Sequence, residues 1–216
     1  MSERNQRRRG LDENGNHSYI DDMATIKHPL NSKWTLWYYL PDDKKTWEEN
    51  QNKIHTVTTI EDFWSFITHI KQPSELIGGV DYSFFKNNIR PMWESPQNVN
   101  GGRLTVTNTS KTRNDPRAAG INDIWLDVLL FLIGENFEYT DDVCGVVLNV
   151  RKYGFKIAVW TSHHEENKIR AIGNSIKKSL SHKSPFLQKI TFEVHAETQR
   201  NAQTTGRASS KNLFEI

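Results

Sequence analysis

The chain has 216 residues, 36% hydrophobic and 11% aromatic, enough apolar material for one ordinary domain with a packed core. Charge nearly balances, with 28 Lys and Arg against 26 Asp and Glu, so a protein that coats nucleic acid non-specifically is excluded while a local basic patch is not. A single cysteine, Cys144, excludes an internal disulfide framework, and no apolar run approaches a membrane span or a signal-peptide core, so a reducing compartment, cytoplasmic or nuclear, is expected.

Residues 1–27 read as a polar tail. The stretch SERNQRRRGLDENGNH holds one hydrophobic side chain, Leu11, and cannot bury enough surface to order itself. Arg7, Arg8 and Arg9 form a small basic cluster there, which reads either as a weak nuclear or RNA contact or, more ordinarily, as part of a solvated tail with no specific role. The ordered domain is expected over 28–216. Its first strand is KWTLWYYL, Lys33 to Leu40. PDDKKTWEEN then breaks the pattern and leaves Trp47 among charged neighbours, presented rather than packed. TTIEDFWSFITHIKQP predicts a helix: Thr58 and Glu61 have capping-box spacing, Ile60, Phe63, Trp64, Ile67 and Ile70 recur at three and four, and Pro73 ends it.

In IRPMWESPQ, Ile89 to Gln97, two prolines fix their own φ and lack an N–H, so the segment reads as a stiff surface loop. It presents the Trp93 indole beside the Glu94 carboxylate. After Gly101 and Gly102, RLTVTNT alternates like a strand and SKTRNDPRAAG is a polar loop. NDIWLDVLLFLIGENF predicts a helix with Asn122 as N-cap and Gly134 near its end. It is apolar on more than one face, so it is either deeply buried or in contact with a partner. GVVLNVRKYGFKIAVWTS reads as two strands joined by a turn around Gly154. HEENKIRAIGNSIKKSLSH is an amphipathic helix with Ile169, Ile172, Ile176 and Leu180 inward. QKITFEVHA is the final strand, and Gln199 to Lys211 a polar loop. Strands interspersed with three helices predict an α+β domain.

Catalytic motifs are lacking: there is no Gly-x-Ser-x-Gly, no Walker-type phosphate loop and no Gly-x-Gly-x-x-Gly. The adjacent histidines of SHHEE point apart on a helix and do not share a metal. No enzyme, cofactor or metal is therefore expected. Binding fits the residues better. Two indoles in loops, Trp47 and Trp93, can sandwich a base, a contact worth roughly 1–3 kcal/mol per base. A cationic base adds cation–π attraction. Glu94 would accept hydrogen bonds from a base edge with adjacent N–H donors, as guanine offers at N1 and N2. Arg151 and Lys156, and more distantly Arg103, could hold phosphates; their alternative reading is a solvated hairpin edge.

These residues carry a resemblance. HPLNSKWTLWYY, KTWEEN, EDFWSF, DYSFFKNNIRPMWE, NGGR, IWLDVLLFLIGE, DDVCGVVLNVR and KIAVWT together resemble the eukaryotic translation initiation factor 4E family over residues 28 to 216. The resemblance implies a curved antiparallel β-sheet backed by three long helices, with a slot for the 7-methylguanosine cap of mRNA on the concave face. It implies that Trp47 and Trp93 stack on the base, that Glu94 pairs with its N1–H and N2–H, and that the backbone N–H of Trp93 meets O6. Trp160 would touch the N7-methyl group. Arg151 and Lys156, with Arg103 nearby, would meet the phosphates.

On the convex side, the resemblance implies that His28, Pro29, Ile60, Trp64, Trp125, Leu126, Asp127 and Leu130 receive a helix carrying Tyr-x-x-x-x-Leu-hydrophobic. The initiation factor 4G scaffold and the 4E-binding proteins share that motif. The implied protein is a monomer within a larger complex, with no membrane partner. Departures from the family pattern are Leu104 in place of an aromatic, Asp127 in place of Glu, a lengthened RNDPRAAG loop and a lengthened TQRNAQTTG loop. Ala208 stands where a regulatory serine is expected, followed by Ser209 and Ser210. Trp34 and Trp47 are both tryptophan, which favours an initiation-competent member over a branch of cap-binding repressors that recruits the scaffold poorly. A decapping hydrolase would need clustered glutamates that are lacking here.

Overall fold

The structure is a computed structural model that describes residues 26–76, 79–109, 120–151, 154–180, 189–205 and 214–216. Strands β1 (Pro29–Tyr39), β2 (Gln51–Thr59), β3 (Asp81–Lys86), β4 (Gly102–Thr109), β5 (Val143–Arg151), β6 (Gly154–Thr161), β7 (Thr191–Val194) and β8 (Phe214–Glu215) form one sheet. It is curved, ordered β2-β1-β3-β5-β6-β4-β7-β8, and antiparallel at every pairing. The strands are interspersed with α1 (Ile60–His69), α2 (Ile121–Gly134), α3 (Glu166–Leu180) and α4 (His195–Thr205). The class is α+β, as expected, with one more helix among the described residues than the three anticipated.

Register divides the chemistry of the two sheet faces, because successive side chains point to opposite sides. One rung runs Leu36, Phe84, Val146, Val159, Leu104, Phe192 across six strands, each at most 3% exposed. The next runs Trp37, Ser83, Val147, Ala158, Thr105, Thr191 and faces the other way. Leu104 thus sits in the core, and its departure from an aromatic is a packing matter. Against the apolar face lie Phe63 and Ile67 of α1, the buried stripe of α2 and Ile169, Ile172, Ile176 and Leu180 of α3. The opposite face is more polar and carries a second small cluster of Phe85, Cys144, Ala158 and Trp160, with Ile89, Trp93 and Val147 packed on it. Cys144 is 2% exposed, and burial pushes its thiol up to about 12.

Local details correct four expectations. The α1 N-cap is Thr59, whose hydroxyl accepts from the Asp62 N–H at 3.1 Å; Glu61 instead holds His28, at 2.9 Å to its backbone N–H and 2.6 Å to Nδ1. Helix α2 begins one residue before Asn122, after Gly120, and the Asn122 side chain bonds the Ser74 N–H and hydroxyl, each at 2.9 Å. Its C-cap is Glu135, a left-handed residue at φ 46°. Gln199 to Thr205 belongs to α4 and not to a loop, and β8 follows QKITFEVHA as the last strand. The tail arginines, the RNDPRAAG loop, Lys152 and the 206–210 segment lie outside the described residues.

Candidate functional site

Trp47 is carried by the β1–β2 connection. Thr46 donates from its N–H and hydroxyl to one Glu49 oxygen, at 2.7 and 2.8 Å, and these bonds hold the Glu49 carboxyl below its usual range. Asn50 closes the turn, its N–H on the Thr46 carbonyl and its amide on the Asp42 carbonyl. The result is an indole 48% exposed, 6.0 Å from the Tyr39 ring.

Trp93 is carried by the loop between β3 and β4. The prolines are not alone in stiffening it. Asn98, fully buried, donates from its amide to the carbonyls of Arg90 at 2.9 Å and Met92 at 2.7 Å, closing the loop across the Pro91 bend. Sequence reasoning missed Asn98; the only signal was an amide at the far end of the proline segment. The two tryptophan-bearing loops are joined to each other by an ion pair, Arg90 to Glu48 at 2.6 Å.

Between them lies a cavity of about 510 Å³ on the polar sheet face. All seven residues expected in the slot line it: Trp47, Trp93, Glu94, Arg103, Arg151, Lys156 and Trp160. Gln51, Asp81, Ser83, Pro91, Val147, Asn149 and Ala158 complete the lining. The two loop indoles and Glu94 form the mouth, and the Trp93 indole N–H donates to the Glu94 carboxylate. Trp160 is only 9% exposed, wedged edge-on against Phe85 and lying 4.2 Å from the ring of His195. Burial, and then Arg103, pull His195 down to about 3, so that ring is neutral.

The far wall holds three cations and the anion Asp81, and a second anion, Glu193, pairs with Arg103 from outside the lining. Arg151 bonds Asp81 at 2.6 and 3.4 Å. Arg103 puts Nε and Nη2 on one oxygen of Glu193, at 2.7 and 2.6 Å. Lys156 has no ion-pair partner among the described residues, and burial, aided by Arg103, lowers it to about 8. Such a site can sandwich a flat ring, accept hydrogen bonds at one edge and meet negative charge at one end. No group of three or more His, Cys, Asp or Glu suited to a metal occurs among the described residues.

The residues expected on the convex side divide. His28 and Pro29 are brought to the start of α1 by a bond from the Ile60 N–H to the His28 carbonyl at 2.9 Å, with Lys27 paired to Asp62 beside it. Ile60 and Trp64, one turn apart, are 43% and 42% exposed. On α2, Leu126, Asp127 and Leu130 are half-buried. Trp125 departs from expectation: it is 2% exposed and belongs to the core, because α2 turns this position toward the sheet.

Residues 29–210 match the family described as eukaryotic initiation factor 4E. The chain is 46% identical over 173 residues to eukaryotic translation initiation factor 4E1 of Drosophila melanogaster, covering 80% of this chain and 64%, less than two thirds, of that relative. It is 42% identical over 194 residues to human eukaryotic translation initiation factor 4E, covering 88% of this chain and 84% of the relative. Among solved structures, the complex of C. elegans eIF4E-3 with the 4E-binding protein Mextli and cap analog superposes with a TM-score of 0.75 at 34% identity, over 88% of this chain and 100% of that one.

Proposed function

This chain belongs to the eukaryotic initiation factor 4E family, and on that premise we propose that it binds the 7-methylguanosine cap of mRNA and brings capped mRNA to the scaffold that starts translation. The observation that carries the reading is the convergence of two loop tryptophans, a carboxylate and three cations on one cavity of about 510 Å³. The base enters between Trp47 and Trp93. Glu94 exchanges the Trp93 indole N–H for the guanine N1–H and N2–H, and the phosphates run toward Arg151 and Lys156, with Arg103 beside them. Methylation at N7 makes the base a cation. It then gains attraction from both indole faces and a more acidic N1–H for Glu94, and unmethylated guanine gains neither.

The protein acts by binding and not by catalysis. Its second surface, His28, Pro29, Ile60 and Trp64 with Leu126, Asp127 and Leu130, takes an amphipathic helix of the 4G scaffold or of a 4E-binding protein. The cytoplasm is where this activity is needed, and no helix among the described residues is long and apolar enough to cross a membrane. The repressor alternative is not adopted: both relatives are initiation factors by name, and Trp34 and Trp47 are in place.

Tryptophan fluorescence tests the slot. Titration of 7-methyl-GTP is expected to quench saturably, GTP about a hundredfold more weakly, and Glu94→Ala to weaken 7-methyl-GTP about thirty- to a hundredfold, since it removes about 2–3 kcal/mol of charge-assisted bonding. Equal responses to both nucleotides in the unmutated protein would sink the reading.

A further inference from the structure

We propose that Glu193 sets how strongly the slot holds phosphates: by engaging Arg103 it subtracts one charge from the phosphate end and lowers the share of the affinity that the phosphates contribute. The inference rests on the cap-binding reading above and assigns a role to a residue outside the seven that were expected.

The argument begins with register. Arg103 on β4 is directly opposite Glu193 on β7. Their side chains are each 17% exposed, so the pair is shielded from solvent, and two guanidinium nitrogens meet a single carboxylate oxygen at 2.7 and 2.6 Å. A shielded, doubly bonded arginine does not swing freely to a ligand. The Arg151 pair is looser: the arginine side chain is 53% exposed and its second contact is 3.4 Å. Counting the lining residues Arg103, Arg151 and Lys156 against Asp81 of the lining and Glu193, which pairs with Arg103 from outside it, this end of the slot has three positive and two negative charges, a net of one. A triphosphate approaching Arg103 therefore meets a guanidinium already paired with a carboxylate. The stacking mouth and Glu94 are untouched by this subtraction, so the base keeps its full contribution while the phosphates lose part of theirs.

Glu193→Gln tests the assignment, because an amide keeps an acceptor for Arg103 and removes only the charge. Binding of 7-methylguanosine and of its mono-, di- and triphosphate is measured for both proteins near pH 6.5, where Lys156 is charged in each. The expected result is nucleoside affinity within about twofold, and 7-methyl-GTP affinity raised about tenfold with a steeper salt dependence. A thermal melt confirms that the variant is folded. Overturning results are a phosphate series of unchanged slope, or a variant that binds 7-methyl-GTP more weakly. Failure of the unmutated protein to bind the methylated nucleoside or any of its phosphates would overturn the slot reading itself, and this inference with it.

Discussion

Burial, with Arg103 close by, pulls the Lys156 amine from its ordinary value down to about 8, while Glu193 and Asp81 pull it partly back. Two opposite pH dependences follow. For binding, phosphates favour the ammonium and raise its pKa in the complex, so 7-methyl-GTP affinity is full below about 8 and falls, up to about tenfold, as pH rises through that value. For folding, the buried ammonium is a cost below about 8 that is relieved as pH climbs toward the unfolded value of 10.5. Lys156→Arg keeps its charge throughout. Isothermal titration from about pH 7 to 9.5 should therefore show a declining ratio of wild-type to variant affinity. Taking the ratio cancels titration of the ligand, and a flat ratio would refute the lysine's role. The residue types of the slot were legible in the sequence because Trp, Glu, Arg and Lys advertise their chemistry. Their pairing was not: Glu193 meets Arg103 ninety positions away through a strand register that no local pattern encodes.

The loops that hold Trp47 and Trp93 act as one element through the Arg90–Glu48 pair, although both side chains are more than half exposed. Exposed pairs contribute roughly 0.2–1 kcal/mol. Glu48→Arg or Arg90→Glu alone should weaken 7-methyl-GTP about two- to fivefold, and the double exchange should restore it. A fluorescence-based double-mutant cycle reads the coupling, and zero coupling would show that the loops position their indoles independently. At this scale the sequence spoke clearly where physics is local. Prolines announced the Trp93 loop, and isoleucines at three- and four-residue spacing announced α1 and α3. It was ambiguous where two local solutions compete. Thr58 with Glu61 and Thr59 with Asp62 both offer cap spacing; the structure uses the second because Glu61 is engaged with His28. It was silent for α4, whose HAETQRNAQTT has no apolar period, and whose buried positions within 195–200 are a histidine and a threonine. Strand β2 hid for the converse reason: as an edge strand it buries only Val57.

Across the whole molecule, one sheet separates the two proposed binding surfaces. The slot occupies its polar face, and the helices that would meet a partner cover its apolar face. Trp64→Ala should accordingly lower affinity for a Tyr-x-x-x-x-Leu helix peptide at least about thirtyfold, the loss of a central aromatic anchor. The 7-methyl-GTP constant should stay within about twofold, both read by calorimetry; parallel losses would mean that the faces are coupled or that the fold is damaged. The same layering gives Cys144 an unusual standing for the experimenter. The sole thiol of the chain lies beneath the Trp93 loop, its Sγ–H directed at the Gln97 carbonyl, its reactivity suppressed by a pKa of about 12. A maleimide dye will therefore ignore it, and cysteines introduced at the exposed Leu40 or Val99 can be labelled one at a time in an otherwise native background, leaving all seven tryptophans free to report from within.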